Sequence, residues 1–371
     1  MTDQNTVRLT VDGRDFVGWK SVSITAGIER VARDFTLEVT DRWPAAGGAA
    51  VRQIAAGAKC ELYIGSDKVL TGFVDATPVR YDASSVSVGV SGRSKTADLV
   101  DCACLGARQY RGQKLEAIAK ALAAEYGVSV LASVDTGAAI ADWQLDPTET
   151  VFEAIDKLLK PKQIWATDSP AGELVLIRVP GEKVATRIEL GKNILECDAG
   201  LDFKDRFSEY IARGQAAGDD DQSGAAKTQI SATSKDGTIK RKRVLAISMQ
   251  GQATNADCKT RVEFEQAYRF AQSLKSTYTV QGWRDEAGQL WRPNTRVWVL
   301  DEVVGFDDEL LITEVTYSLS NEGMRSVLTL APASGYAKRD DDGSADDKKS
   351  RKGKDSKLPT NAEFVWMNAP K

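Results

Sequence analysis

Histidine is absent from the 371 residues. That removes Ser-His-Asp triads, Cys-His nucleophile pairs, histidine zinc sites and histidine pH switches. Long apolar runs are also missing: no stretch approaches the ~20 apolar residues of a membrane helix, so no stable membrane insertion is expected. The opening Met1-Thr2-Asp3-Gln4-Asn5 has neither the basic nor the apolar region of a signal peptide, and synthesis in a reducing cytosol is expected. Cysteine is sparse: Cys60, Cys102, Cys104, Cys197 and Cys258 are scattered. Only Cys102 and Cys104 are close, and C-x-C alone is a poor metal signal, so buried reduced thiols are expected instead of a metal or redox site. Neither sign of charge dominates, with 49 basic against 53 acidic residues and a net charge of −4. That balance argues against a dedicated nucleic-acid binder, whose affinity comes mainly from phosphate neutralisation. No Walker-type glycine loop is present. No cofactor is expected.

What is there reads as mainly β. The stretch 278–332 alternates at Tyr278, Val280 and Gly282, turns at 285–288, and carries Val297-Trp298-Val299-Leu300. Leu311, Thr313, Val315 and Tyr317 then share one strand face, and Asn321-Glu322-Gly323 turns the chain back. Upstream, Val7, Leu9 and Val11 alternate before an Asp12-Gly13 hairpin turn. Val22 and Ile24, then Phe35, Leu37 and Val39, then Cys60, Leu62 and Ile64, then residues 69–74 and Val86, Val88 and Val90 follow the same rule. About six short strands in roughly ninety residues predict a small sandwich or barrel.

Patterning changes after Arg93. Leu115, Ile118, Ala119 and Leu122 have helical spacing, and Gly127 stops that helix. A short strand is predicted at 128–131, a second helix over 148–160 ended by Pro161, and a hairpin from 164–166 to 174–177. Strand patterning returns at 188–194 and 206–213. Residues 214–227, with Asp219, Asp220 and Asp221, read as a mobile loop, and 256–276 as the longest helix. Beyond Tyr336 a charged, apolar-poor run reads as a flexible linker. The chain then turns apolar again at Phe364, Val365 and Trp366, the form of a short docking peptide, against the alternative of an unstructured tail.

Chemistry is hard to place. Glu149 and Glu153 are i,i+4 on a helix, where solvated-face charge is the plain reading. Lys240, Arg241, Lys242 and Arg243 form either a strip for nucleic acid or an acidic partner, or a solvated strand end beside the acidic loop, and short blocks favour the latter. Trp283, Trp291 and Trp298 could form a sugar or base platform, but β-core or intersubunit packing is commoner.

In order along the chain, several segments resemble the baseplate hub proteins of contractile-tailed phages, specifically the Mu-like hub and the wider late-control gene D tail-protein family. The carrying residues are Tyr278-Thr279-Val280-Gln281-Gly282-Trp283-Arg284-Asp285, Gly288-Gln289-Leu290-Trp291-Arg292-Pro293-Asn294, Glu309-Leu310-Leu311-Ile312 and Val315-Thr316-Tyr317-Ser318. Ile28-Glu29-Arg30, Phe35-Thr36-Leu37-Glu38-Val39-Thr40-Asp41, Ser91-Gly92-Arg93-Ser94, Tyr110-Arg111-Gly112-Gln113 and Leu190-Gly191-Lys192-Asn193-Ile194 add to it. The resemblance implies an α+β, mainly β fold: two tube-like β-barrel domains with a small α+β module between them and a flexible C-terminal tail. The implied divisions are a first barrel at 1–95, the middle module at 96–185 and a second barrel at 186–337. That second barrel holds an inserted loop and helix at about 214–277, and is followed by a linker at 338–357 and a docking peptide at 358–371.

It further implies a homotrimer whose six barrels ring an axial channel. Such a ring would match a sixfold tail tube protein above and a trimeric central spike below, beside other baseplate subunits. Phage DNA would pass without specific binding. The protein would sit in the virion tail baseplate after assembly in the host cytoplasm. No lysozyme or peptidase domain follows the second barrel, so no enzyme is expected. The alternatives are a cell-wall-degrading tail enzyme and the equivalent hub of a secretion machine or phage-derived bacteriocin.

Overall fold

A computed structural model describes residues 4–41, 54–83, 86–215 and 229–337. The chain is mainly β and divides into two compact units. The first comprises Met1–Arg178, Thr279–Pro293 and Thr313–Leu328; the second comprises Val179–Tyr278, Asn294–Ile312 and Thr329–Lys371.

The first unit opens with strands β1 (Val7–Val11), β2 (Arg14–Phe16), β3 (Ser21–Gly27), β4 (Asp34–Asp41), β5 (Lys59–Ile64), β6 (Asp67–Ala76), β7 (Val79–Tyr81) and β8 (Val86–Ser94). Val7, Leu9 and Val11 are buried in β1, as are Cys60, Leu62 and Ile64 in β5. The intervening residues are less buried, so the alternation in the sequence is the pleat of a sheet with one face on the core. Asp12 and Gly13 both take positive φ (49° and 76°), the type I′ geometry whose twist suits a two-residue hairpin. The strands run β3-β4-β8-β6-β5-β1-β2, every pairing antiparallel.

At Gly92 the sheet is too tight for a side chain. A Cβ there would lie 2.2 Å from the Phe73 carbonyl oxygen and 2.8 Å from the Phe35 ring. Gly92→Ala is therefore expected to lose roughly 1–3 kcal/mol, the usual cost of overpacking. Gly200→Ala, with nothing within 4 Å of its Cβ, is expected to be neutral. Urea unfolding of both variants checks the pair.

The rest of this unit's N-terminal half holds α1 (Ala97–Asp101), β9 (Gln109–Gln113), α2 (Leu115–Ala124), β10 (Val130–Ala132), β11 (Ile140–Gln144), α3 (Val151–Leu159), β12 (Trp165–Asp168) and β13 (Leu174–Ile177). After α2 the Val128 amide reaches the Ala123 carbonyl at 3.1 Å, with Gly127 left-handed (φ 66°), a Schellman stop. Thr150 and Glu153 cap α3 reciprocally, which satisfies two amides that the helix start leaves open. Ile118, Leu122, Ile155, Leu159, Leu174 and Leu176 share one core. β10 pairs β13 in parallel and β12 pairs it antiparallel, so the predicted hairpin is part of a three-stranded sheet. The β9–β11 ribbon was not foreseen from sequence, because only Tyr110 in β9 is buried and no alternation marks it.

The second unit contains β14 (Lys183–Glu189), β15 (Ile194–Ala199), β16 (Glu209–Gln215), β17 (Gln229–Lys235), β18 (Val244–Gln252), helix α4 (Asn255–Ser273) and β20 (Thr295–Asp301). Strands β19 (Ser276–Gln281), β21 (Phe306–Ser320) and β22 (Gly323–Pro332) contribute residues to both units. β14 runs parallel to β20, and β20 antiparallel to the first part of β21. A separate sheet has the order β17-β16-β18. Its Tyr210 and Ala212 pack on Cys258 and Val262 of α4.

This departs from the expectation of an inserted loop and helix at about 214–277, because β17 and β18 lie there as well as α4. Gln229-Ile230-Ser231-Ala232-Thr233-Ser234-Lys235 is a strand of small and β-branched residues, so hydrophobic alternation does not announce it. The acidic run at 219–221 and all of 338–371, including Phe364, Val365 and Trp366, lie outside the described residues.

Candidate assembly surfaces

Among the described residues, no catalytic constellation emerges from the fold. Among the described residues, no group of three or more Cys, Asp or Glu is placed to hold a metal ion, and no helix is long and apolar enough to cross a membrane. Burial pushes the Cys60 thiol up to about 12, helped by the Asp75 charge, and Cys104 up to about 11, helped by Glu149 and Glu125. Cys197 also rises to about 11, mainly through burial. Since the thiolate is the reacting species, Cys104 and Cys197 should react with a thiol reagent at pH 8 roughly a hundredfold more slowly than a free cysteine, and Cys60 roughly a thousandfold more slowly. Titration with an aromatic disulfide, before and after denaturation, checks this. Rapid native labelling of Cys60 would contradict it.

What the structure does build is a set of rigid supports and exposed faces. Trp283, Trp291 and Trp298, which the sequence grouped together, separate here. Trp283 is 1% exposed, and its indole N–H donates to the Ser318 and Arg325 carbonyls at 3.0 and 3.1 Å. Its ring meets Tyr317 edge-on, and the Tyr317 hydroxyl donates to the Trp291 carbonyl. Trp291 is buried beside them, so these two are core. The neighbouring Arg284 bonds Asp67 at 2.8 Å, the Gln4 carbonyl at 2.9 Å and the Gly288 carbonyl at 3.0 Å. The segment 283–291 is thus a strap that fastens β21 and β22 on one side and the chain's start on the other.

Trp298 belongs instead to the solvent-facing side of β20. Its indole N–H donates to Asp307 at 3.2 Å, and its ring lies under Lys183 (5.4 Å) and Arg187 (5.7 Å). Glu309 joins Lys183 at 2.6 Å and Arg296 at 2.7 Å. This is a flat, charged, half-buried sheet face in the second unit. At one end of that sheet Leu190, Leu195 and Val303 are exposed, and the Leu190 amide bonds the Leu300 carbonyl.

The middle of the first unit is fastened to its large sheet by polar anchors. Arg33 donates from Nε to Asp168 Oδ1 at 2.9 Å, from its amide to Oδ2 at 3.1 Å, and from Nη2 to the Asp168 carbonyl at 2.9 Å. The Asp168 side chain is wholly buried. Thr167 donates to the Gly27 carbonyl (2.8 Å), Thr71 to the Pro170 carbonyl (2.9 Å) and Thr96 to the Val31 carbonyl (2.6 Å).

The basic block at 240–243 lies on a fixed turn in the second unit. Arg206 pairs with Asp236 at 2.7 Å, both nearly buried, and Thr238 bonds the same carboxylate. Burial opposes ionisation of Asp236, but the Thr238 and Arg206 hydrogen bonds outweigh it and hold its carboxyl below the usual range. Ser208 exchanges hydrogen bonds with Arg243, accepting from its amide at 2.9 Å and donating to its carbonyl at 2.8 Å. Arg243 and Arg269 lie over Phe207, at 4.9 and 5.2 Å. Gln215 and Gln229 pair at the opposite end of β16 and β17 from this turn, and the acidic run at 219–221 lies outside the described residues.

Comparison with known proteins bears directly on these surfaces. Residues 6–94 match the N-terminal domain of the Mu phage baseplate assembly protein GpP-like family, 96–178 the second domain of the baseplate hub protein gp44-like family, and 254–339 the fourth domain of Mu phage GpP. Over 362 residues the chain is 36% identical to the baseplate hub protein gp44 of Escherichia phage Mu, covering 95% of this chain and 93% of that one. Among solved structures it is similar to the 43 kDa tail protein of prophage MuSo2 from Shewanella oneidensis, with TM-score 0.80 and 29% identity over 90% of this chain and all of that one. The tail protein from Neisseria meningitidis MC58 shares the fold, with TM-score 0.77 and 22% identity over 90% of this chain and 98% of that one.

Proposed function

The chain belongs to the Mu-type phage baseplate hub family, a structural component of the virion tail and not an enzyme, and we propose that three copies of it close into a ring around an axial channel. In this reading each subunit presents two tube-like domains, at 1–95 and 186–337, with the module at 96–185 on the outside. The six domains so arranged meet a sixfold tail tube on one side, and the true threefold axis meets a trimeric spike on the other. Closed symmetry limits such an assembly to one ring. The observation that carries the reading is 36% identity to the Mu hub over 95% of the chain, a span that takes in both β-rich regions and the module between them.

The segment 358–371 docks on the spike or a neighbouring hub subunit through Phe364, Val365 and Trp366, with 338–357 as its tether. Light scattering behind size exclusion, followed by symmetric imaging, tests the ring. A threefold particle with a central hole is expected, and a monomer at tens of micromolar would overturn it. Deleting 338–371 should keep the ring and lose spike capture. Unchanged capture would remove the docking role and leave the ring standing.

A further inference from the structure

We propose that the turn end of the β17-β16-β18 sheet is a binding surface for the phosphate backbone of duplex DNA, formed by Lys204, Lys235, Lys240, Arg241, Lys242 and Arg243. The strand register gathers these cations. Glu209, the first residue of β16, lies opposite Lys235 of β17 and Val244 of β18, so the two flanking strands present their ends about 10 Å apart, two strand spacings. Lys204 joins them because its carbonyl accepts from the Arg243 guanidinium. The buried Arg206–Asp236 pair and the Ser208–Arg243 bonds hold the turn in place, so the cations are displayed on a rigid support.

The cations there make no ion pair of their own among the described residues, although Glu209 lies across from Lys235 in register. Several cations elsewhere are answered by carboxylates: Arg8 by Asp15, Lys68 by Glu61, Arg93 by Asp75 and Asp101, and Arg296 by Glu309. At the turn, two carboxylates are already engaged, Asp236 by Arg206 and Glu265 by Arg261 and Arg269. Asp202, Asp205 and Glu209 remain close in the chain, but among the described residues Lys204, Lys235, Arg241 and Lys242 have no ion pair and are exposed. The protein as a whole is acidic, at −4, so this end stands out against the opposite sign.

The partner class follows from what surrounds the cations. The centre of a stable protein interface is depleted in lysine and built on exposed apolar or aromatic anchors. Here Phe207 is covered by Arg243 and Arg269, and Val244 is the exposed large apolar neighbour. Lysines without an apolar centre suit a phosphate lattice, which is bound by charge and without base readout. With Phe203 covered by Arg206 and Phe207 by Arg243 and Arg269, no aromatic among the described residues at this turn is free to stack, so single strands are not favoured.

Fluorescence anisotropy of the full chain with two 20-bp duplexes of unrelated sequence tests this. Binding should be equal for both and fall about a hundredfold between 50 and 200 mM NaCl if four phosphates are neutralised. The tail has its own lysines between 348 and 357, so the comparison of variants decides. Lys240→Gln, Arg241→Gln and Lys242→Gln together should weaken binding at least about tenfold at low salt and flatten the log–log salt slope by about 2.7. The control Lys20→Gln, Lys59→Gln, Lys120→Gln should change neither. Equal binding by both triple variants would overturn the proposal, as would no binding at 50 mM salt. Displacement of the duplex by an equal charge of polyglutamate would assign the surface to an acidic protein instead. None of these outcomes depends on whether the ring forms.

Discussion

Asp168→Ala is expected to destabilise the first unit by about 3–5 kcal/mol, the cost of leaving one partner of a buried ion pair alone. The Asp168 side chain has no exposed surface and accepts from both the Arg33 guanidinium and the Arg33 amide. Its removal strands a cation whose side chain is 14% exposed, together with a backbone N–H, in a place water barely reaches. Hydrogen exchange should show the loss at 165–177 before the rest of the chain. Asp168→Asn keeps acceptors for the amide and should retain part of the stability. Replacing both partners by leucine and methionine should recover more than either single change, since burying two charges is itself costly. A loss below about 1 kcal/mol would put the pair in the class of surface bridges and refute the anchor.

That anchor was invisible in the sequence, and the reason is physical. Arg33 and Asp168 are 135 positions apart, and nothing in the local pattern of either couples them. Periodicity reports only which face of an element is apolar, so it found β1, β3–β6, β8, α2, α3 and α4, whose cores are built from evenly spaced Val, Leu, Ile and Phe. It failed at β9, β11 and β17, where small and polar residues form strands by pairing with a neighbour. Arg206 and Asp236 escaped notice for the same reason, and so did the turn they hold.

The candidate surfaces were legible only where chemistry is written in one segment. The block at 240–243 could be seen, but the buried Arg206–Asp236 pair that fixes its turn could not, because its partners are 30 positions apart. Packing, the commoner reading of the tryptophans, holds for the buried Trp283 and Trp291, yet Trp298 proved different from both. One residue of register decides which side of a sheet a side chain takes, and Trp298 faces out between the buried Val297 and Val299. The family resemblance, resting on ordered short segments instead of composition, carried the functional reading further than any residue could.

Among single substitutions in that resembling stretch, Trp283→Ala should be the most damaging, at about 3–5 kcal/mol for a buried aromatic. Two losses combine. The ring fills the space against Tyr317, and its N–H is the donor that ties the Ser318 and Arg325 carbonyls together across the β21–β22 turn. Trp283→Phe separates them: it keeps most of the apolar volume and removes one donor from each carbonyl, the Arg325 carbonyl keeping the Ser318 hydroxyl, so a smaller loss of about 1–3 kcal/mol is expected. Exchange of the amides at 316–326 should rise in both variants. Arg284 lies next in the chain and holds Asp67 and the Gln4 carbonyl, so Trp283→Ala should also loosen residues 4–8 through the shared strap. If exchange rises at 316–326 but not at 4–8, the two halves of the strap are energetically independent. If neither region responds, Trp283 is a passive filler and the strap is held by its backbone alone.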